Sequence, residues 1–227
     1  MFMYNLELLV FIAPALLLGM WAQFRIHSAY GQAQKMAAPL SGAAAARHVL
    51  DSAGLTNVHV EEIPGHLTDH YDPRAKVLRL SQEVYESRTL AAVGIAAHEA
   101  GHAIQDAHAY APLVIRNAAV PVAGFGSNAS MLMIIAGLFL QMQPLILIGI
   151  GLFATVVFFQ LVNLPVEFNA SSRAKAQLVG LGIINDEELV YVRKVLNAAA
   201  LTYVAATLQA ILTLLYLLMR FSGRDRD

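Results

Sequence analysis

Leu145 to Leu164 reads LILIGIGLFATVVFFQLVNL, twenty residues without a charge. A helix needs about 20 mostly apolar residues to cross the hydrocarbon core of a bilayer, so this run sets the fold class. Just before it, Gln141-Met142-Gln143-Pro144 is a tight turn, and Ala118 to Leu140 is a second apolar run rich in small residues. The two runs predict a helical hairpin. Two further stretches qualify, Leu6 to Phe24 and Ala199 to Met219. The first reads as a retained anchor rather than a signal peptide: no Lys or Arg precedes it, and no small-residue cleavage site ends it.

Composition agrees. Of 227 residues, 57% are hydrophobic and 14% charged, and the mean hydropathy is +0.55. Soluble domains carry about 45–50% apolar and about 25% charged residues. Disorder is excluded and a wholly soluble fold disfavoured. The formal net charge of −1 leaves no basic mass for nucleic acid. With no cysteine, disulfides and thiolate metal sites are excluded, so any metal must use His, Asp or Glu.

Between the first two apolar runs lies a polar region. Residues 25–40 read as a connector. Ser41 is a helix N-cap, Ala43 to Ser52 are good helix formers, and Gly54 closes them. Val58 to Ile63 alternates apolar and polar residues, as a strand does. Pro64-Gly65 and Asp72-Pro73-Arg74-Ala75 are turns, and His66 to Tyr71 can start another strand. Lys76 to Leu80 alternates again and suits a sheet edge, to which an extended peptide adds as a strand. Ser81 caps a short helix, and Thr89 caps a longer one to about His108.

That longer helix carries His98-Glu99-Ala100-Gly101-His102, the pattern H-E-x-x-H. Residues four apart share a helix face, so both imidazoles can bind one Zn²⁺. Glu99 lies close enough to take a proton from a water that the metal activates.

Catalytic zinc usually has three protein ligands, and two residues compete for the third place. His108 has metzincin spacing, but lies about 240° round the helix from His102. The chain would have to turn at Gln105, a good helix former. Glu167 follows Leu164-Pro165, and Pro165 fits the first turn of a new helix running to Leu181. The hairpin returns this segment to the side of the membrane where His102 lies. The resulting His₂Glu set is the gluzincin arrangement.

Several stretches together carry a family resemblance. They are Leu67-Thr68-Asp69-His70-Tyr71-Asp72-Pro73-Arg74, Ala97-His98-Glu99-Ala100-Gly101-His102-Ala103-Ile104-Gln105, Leu164-Pro165-Val166-Glu167-Phe168-Asn169-Ala170-Ser171, and Ala198 to Ala206. Through them the chain resembles the YugP-type neutral zinc metallopeptidases of bacterial membranes, and more remotely the HtpX and CAAX-prenyl membrane proteases. The resemblance implies His98, His102 and Glu167 as metal ligands and Glu99 as general base. The remote relatives often place an Asp four residues after the ligand Glu, where it can orient a zinc histidine. Here that position is Ser171, and Asn169 is the nearest longer polar side chain.

The expected architecture is a mainly α membrane protein with four transmembrane helices and a small α+β gluzincin-like zinc domain. Its divisions are an anchor at 1–24, the zinc domain at 25–117, the hairpin at 118–164, a helical segment with the third ligand at 165–198, and a last helix and tail at 199–227. Residues 25–117 and 165–198 hold twelve Lys and Arg, against three in the tail. This places the zinc domain on the cytoplasmic side of the bacterial inner membrane.

The expected function is a membrane-bound, zinc-dependent endopeptidase acting on peptides or membrane proteins, with Glu99 as base. The alternative is a non-catalytic scaffold or transporter with a structural zinc site. An intramembrane zinc helix is disfavoured, because Leu90 to Ala97 is too short to span. His70 or Tyr71 could donate to an oxyanion or serve only the turn, and Arg173 reads as a surface charge. The expected surroundings are the lipid bilayer and no nucleic acid. Oligomeric state is not legible.

Overall fold

Apolar helix dominates the computed structural model, which describes residues 2–221, with side chains from residue 6. Helix α1 (Phe2–Ala33) and α2 (Gly42–Ser52) precede strands β1 (His59–Ile63), β2 (His70–Asp72) and β3 (Val77–Ser81). Then come α3 (Gln82–Glu86), α4 (Leu90–Ala107), α5 (Ala111–Phe139), α6 (Gln143–Gly180) and α7 (Asp186–Phe221). Among the described residues α1, α5, α6 and α7 are long and apolar enough to cross a membrane. The tail from residue 222 onward lies outside the described residues.

The long helices overrun the apolar runs that predicted them. Residues 25–33, read as connector, continue α1, because Ala29 and Ala33 are buried in a core. Pro165 starts no new helix but sits inside α6. A proline removes one backbone donor, and long membrane helices tolerate the loss. Helix α7 is likewise continuous. Asn185 caps it: its side chain accepts from the Glu188 N–H at 2.9 Å, and the Glu188 carboxylate accepts from the Asn185 N–H at 2.9 Å. This is a reciprocal capping box.

The chain forms two compact units. The first takes residues up to 21, 114–164 and from 202 onward. In it α5 and α6 form the expected hairpin, with Gln141 in the turn at φ 56°. The hairpin closes through small residues: a Cβ added at Gly149 would stand 2.9 Å from the Ser130 carbonyl oxygen.

The second unit takes residues 22–113 and 165–201. Ser41 caps α2 by accepting from the Ala44 N–H at 3.3 Å, and Thr89 caps α4 by accepting from the Ala92 N–H at 3.2 Å. Both act as their residue types predict. The core joins Val49 and Leu50 of α2, Leu78 and Leu80 of β3, Val93 and Ala96 of α4, Leu178 of α6, and Val192 of α7.

The sheet order is β1-β3-β2, with β3 parallel to β1 and antiparallel to β2. Lys76 to Leu80 is therefore not an edge. Val77, Leu78, Leu80 and Ser81 of β3 are all buried, the pattern of a strand covered on both faces rather than on one. Ser81 does not cap α3 with its side chain. Its hydroxyl and N–H donate to the Asp69 carboxylate at 3.0 and 2.8 Å, tying the loop before β2 to the end of β3.

Candidate metal centre

Helix α4 presents His98 and His102 one turn apart, their ring centroids 4.8 Å apart and nearly perpendicular. Helix α6 supplies the facing carboxylate. The two helices meet backbone to backbone at Gly101, where an added Cβ would lie 2.7 Å from the Ala170 carbonyl oxygen. Only glycine allows that approach. Val166, Glu167, Ala170, Ser171 and Ala174 are all buried, as one face of a helix would be. This face carries Glu167 to the histidines.

Glu167 Oε2 stands 3.3 Å from His98 Nε2 and 3.8 Å from His102 Nε2. One ligand atom from each of the three lies within 4.8 Å of the others. The His98, His102 and Glu167 side chains are 15%, 13% and 6% exposed. His108 is placed elsewhere: it is the exposed C-cap of α4.

The outer nitrogens of both rings are engaged. His102 Nδ1 lies 3.0 Å from Gln105 Oε1. The Gln105 amide nitrogen donates to the Val166 carbonyl at 2.8 Å and to Asn169 Oδ1 at 3.0 Å. A backbone carbonyl only accepts, so this orients the amide with its oxygen toward His102. His102 therefore carries its proton on Nδ1 and aims the Nε2 lone pair at Glu167. His98 Nδ1 lies 3.1 Å from the Ser171 hydroxyl, so its Nε2 also faces Glu167. Two imidazole nitrogens and one carboxylate oxygen converging on one point fit a zinc ion, and supporting contacts to the outer nitrogens are the usual companions of zinc histidines.

The electrostatics agree. Burial alone would lower the His98 pKa, but the facing Glu167 carboxylate and the Glu99 charge outweigh it and raise the pKa above its ordinary value. The carboxylates thus favour positive charge at this spot, which a divalent cation also satisfies.

Glu99 lies beside the donor set, its Oε2 accepting from the Tyr71 N–H of β2 at 3.1 Å. Burial pushes its carboxyl up to about 7; Glu167 and Asp69 add to the rise, while His98 and the Tyr71 N–H oppose it. The Tyr71 hydroxyl donates to Asp106 Oδ2 at 2.9 Å, which Lys76 Nζ also meets at 2.5 Å. Burial, first, and this bond hold the phenol well above its usual range. Tyr71 thus touches the site through its backbone, while the His70 ring is exposed and lies 2.9 Å from the Thr68 carbonyl.

Sequence reading missed three supports. Gln105, 0% exposed, holds His102. Ser171 holds His98 from the position where an Asp was looked for. Arg173, read as a surface charge, donates to Asn169 Oδ1 at 2.8 Å and so backs the Gln105 contact. A long polar side chain three residues after His102, on the same face of the helix, was the available signal for the first.

If Gln105 sets the His102 tautomer, Gln105→Leu should weaken zinc binding about 10- to 100-fold, and Gln105→Glu, which still accepts at that nitrogen, should recover most of it. Competition with a chromophoric chelator measures this. Wild-type affinity in Gln105→Leu would show that the amide only fills space.

Residues 8–222 match the family described as "Putative neutral zinc metallopeptidase". The chain is 47% identical over 224 residues, 97% of its length, to the whole of the "Putative membrane protease YugP" of Bacillus subtilis (strain 168). No solved structure matches. Four apolar helices and this relative make the chain a membrane protein, and it belongs to the neutral zinc metallopeptidase family.

Proposed function

We propose that the chain is a membrane-bound zinc endopeptidase with a gluzincin centre, in which His98, His102 and Glu167 hold the metal and Glu99 is the general base. The observation that carries this reading is the convergence of both Nε2 atoms and the Glu167 carboxylate, with the opposite ring nitrogens already engaged. When bound, zinc supplies Lewis acidity that polarises the scissile carbonyl and brings the pKa of water to about 7.

The chain's own residues do the rest. Glu99 Oε2, held by the Tyr71 N–H, accepts the proton of the attacking water. Glu99 can then return that proton to the leaving amine. Strand β2 is the sheet edge that reaches Glu99, so a peptide adding as a strand pairs there rather than at β3. The alternative, a scaffold or transporter with a structural zinc, gives no role to a carboxylate held beside the donor set.

The substrate class is peptides or membrane proteins, in keeping with the name of the relative. The twelve basic residues of 25–117 and 165–198 support a cytoplasmic position for the second unit at the bacterial inner membrane. In whole cells an impermeant thiol reagent should label a cysteine at Gln141 and spare one at Glu86; the reverse would place the site outside.

Glu99→Gln should keep its zinc and lose casein cleavage by about 10²- to 10⁴-fold. Glu167→Ala should lose the metal under mild chelation, whereas His108→Ala should retain it. Undiminished cleavage by Glu99→Gln would overturn the mechanism. Metal loss in His108→Ala but not in Glu167→Ala would overturn the ligand set.

A further inference from the structure

Among the described residues Glu99 has a single hydrogen bond, the one its Oε2 accepts from the Tyr71 N–H at 3.1 Å. A glutamate side chain has much rotamer freedom to lose, so whatever fixes Tyr71 also fixes the direction of this carboxylate. Strand β2 is only three residues long and lies at the sheet edge. The Tyr71 N–H is given to α4 and not to a neighbouring strand, so pairing with β3 does not by itself hold it there.

The side chain of the same residue supplies a second attachment. The Tyr71 hydroxyl donates to Asp106 Oδ2 at 2.9 Å, and its ring is half-buried against the core. Glu99 and Asp106 are seven residues apart on α4, which is two turns along one face and about 10 Å of helix rise. One residue therefore grips α4 at two points, its backbone on Glu99 and its hydroxyl on Asp106, with His102 between them in the helix. Lys76, at the far end of the β2–β3 turn, also meets Asp106 at 2.5 Å. Its side chain is 47% exposed, and an ion pair so open to water contributes little. A hydrogen bond from a half-buried phenol to a charged acceptor contributes more. The hydroxyl is thus the stronger tie.

We propose that the Tyr71 side chain is a positioning element for peptide hydrolysis: its hydroxyl, anchored on Asp106, holds β2 against α4 so that the Tyr71 N–H keeps the Glu99 carboxylate in its working orientation. The inference rests on Glu99 being the general base. A slightly misplaced base slows the chemical step without weakening the hold on substrate or metal.

The test uses the full-length protein in detergent, supplied with zinc, and labelled casein as substrate. Tyr71→Phe should lower kcat about 10-fold with KM within about twofold of wild type, and should keep its zinc. Asp106→Leu should match that loss, and Asp106→Asn, which still offers the hydroxyl an acceptor, should recover most of it. The losses in Tyr71→Phe and Asp106→Leu should not multiply in the double variant, because both break one contact. Lys76→Met should stay within about twofold of wild type. Wild-type kcat in Tyr71→Phe overturns the proposal, as does a change in KM alone, which would make the hydroxyl a substrate contact. Zinc loss in Tyr71→Phe would mean a general disturbance of the unit and also overturns it. So does a loss in Lys76→Met equal to that in Tyr71→Phe, which would assign the tie to the ion pair. If Asp106→Leu fails to fold, Tyr71→Phe and Asp106→Asn decide. Failure of the underlying reading is distinct, since Glu99→Gln would then stay active. An inactive Glu99→Gln beside a wild-type Tyr71→Phe sinks this inference alone.

Discussion

Helices α4 and α6 touch at Gly101 and Ala170, and the candidate centre depends on that contact. A single Cβ would stand 2.7 Å from a backbone oxygen, too close for a packed interior to absorb without moving one helix. Moving α6 away would withdraw Glu167 from both histidines, Ser171 from His98, and Val166 and Asn169 from Gln105. One missing methyl group therefore governs the donor set and the groups that orient it. The two positions inside H-E-x-x-H are Ala100 and Gly101, and at least the second is small for a packing reason and not a chemical one.

The second constraint is directional. An imidazole can offer its lone pair from either nitrogen, and a metal site needs both rings to make the same choice. For His102 that choice comes from outside the cluster, through the amide of Gln105, while the Ser171 hydroxyl engages the outer nitrogen of His98. The Gln105 amide is itself oriented by a carbonyl that can only accept. Glu99 is set differently: its carboxylate takes a backbone N–H from a strand, so the small sheet acts on the site by holding the carboxylate rather than by facing the metal.

The separation between what was legible and what was not follows the range of the interactions. His98 and His102 were legible because their spacing is a helix period, fixed by local geometry. The caps at Ser41 and Thr89 and the four apolar helices were legible for the same reason. Glu167 could be placed only by resemblance and by counting membrane crossings, since it comes from a segment 65 residues beyond His102. The roles of Gln105, Ser171 and Arg173 exist only once two helices are in contact, so no local pattern announced them. The central place of β3 was missed because a five-residue strand alternates alike at an edge and in a centre. Pro165 misled because its local preference to begin a helix yielded to the continuity of a long one.

X-ray absorption at the zinc edge, on the purified full-length protein, tests the central claim most directly. The account predicts one zinc per chain with two imidazole nitrogens at about 2.0–2.1 Å and at least one carboxylate oxygen at about 2.0–2.2 Å, the imidazole signal falling in His98→Ala and the oxygen shell changing in Glu167→Ala. A shell of three imidazoles, or zinc that survives intact in Glu167→Ala, would contradict it.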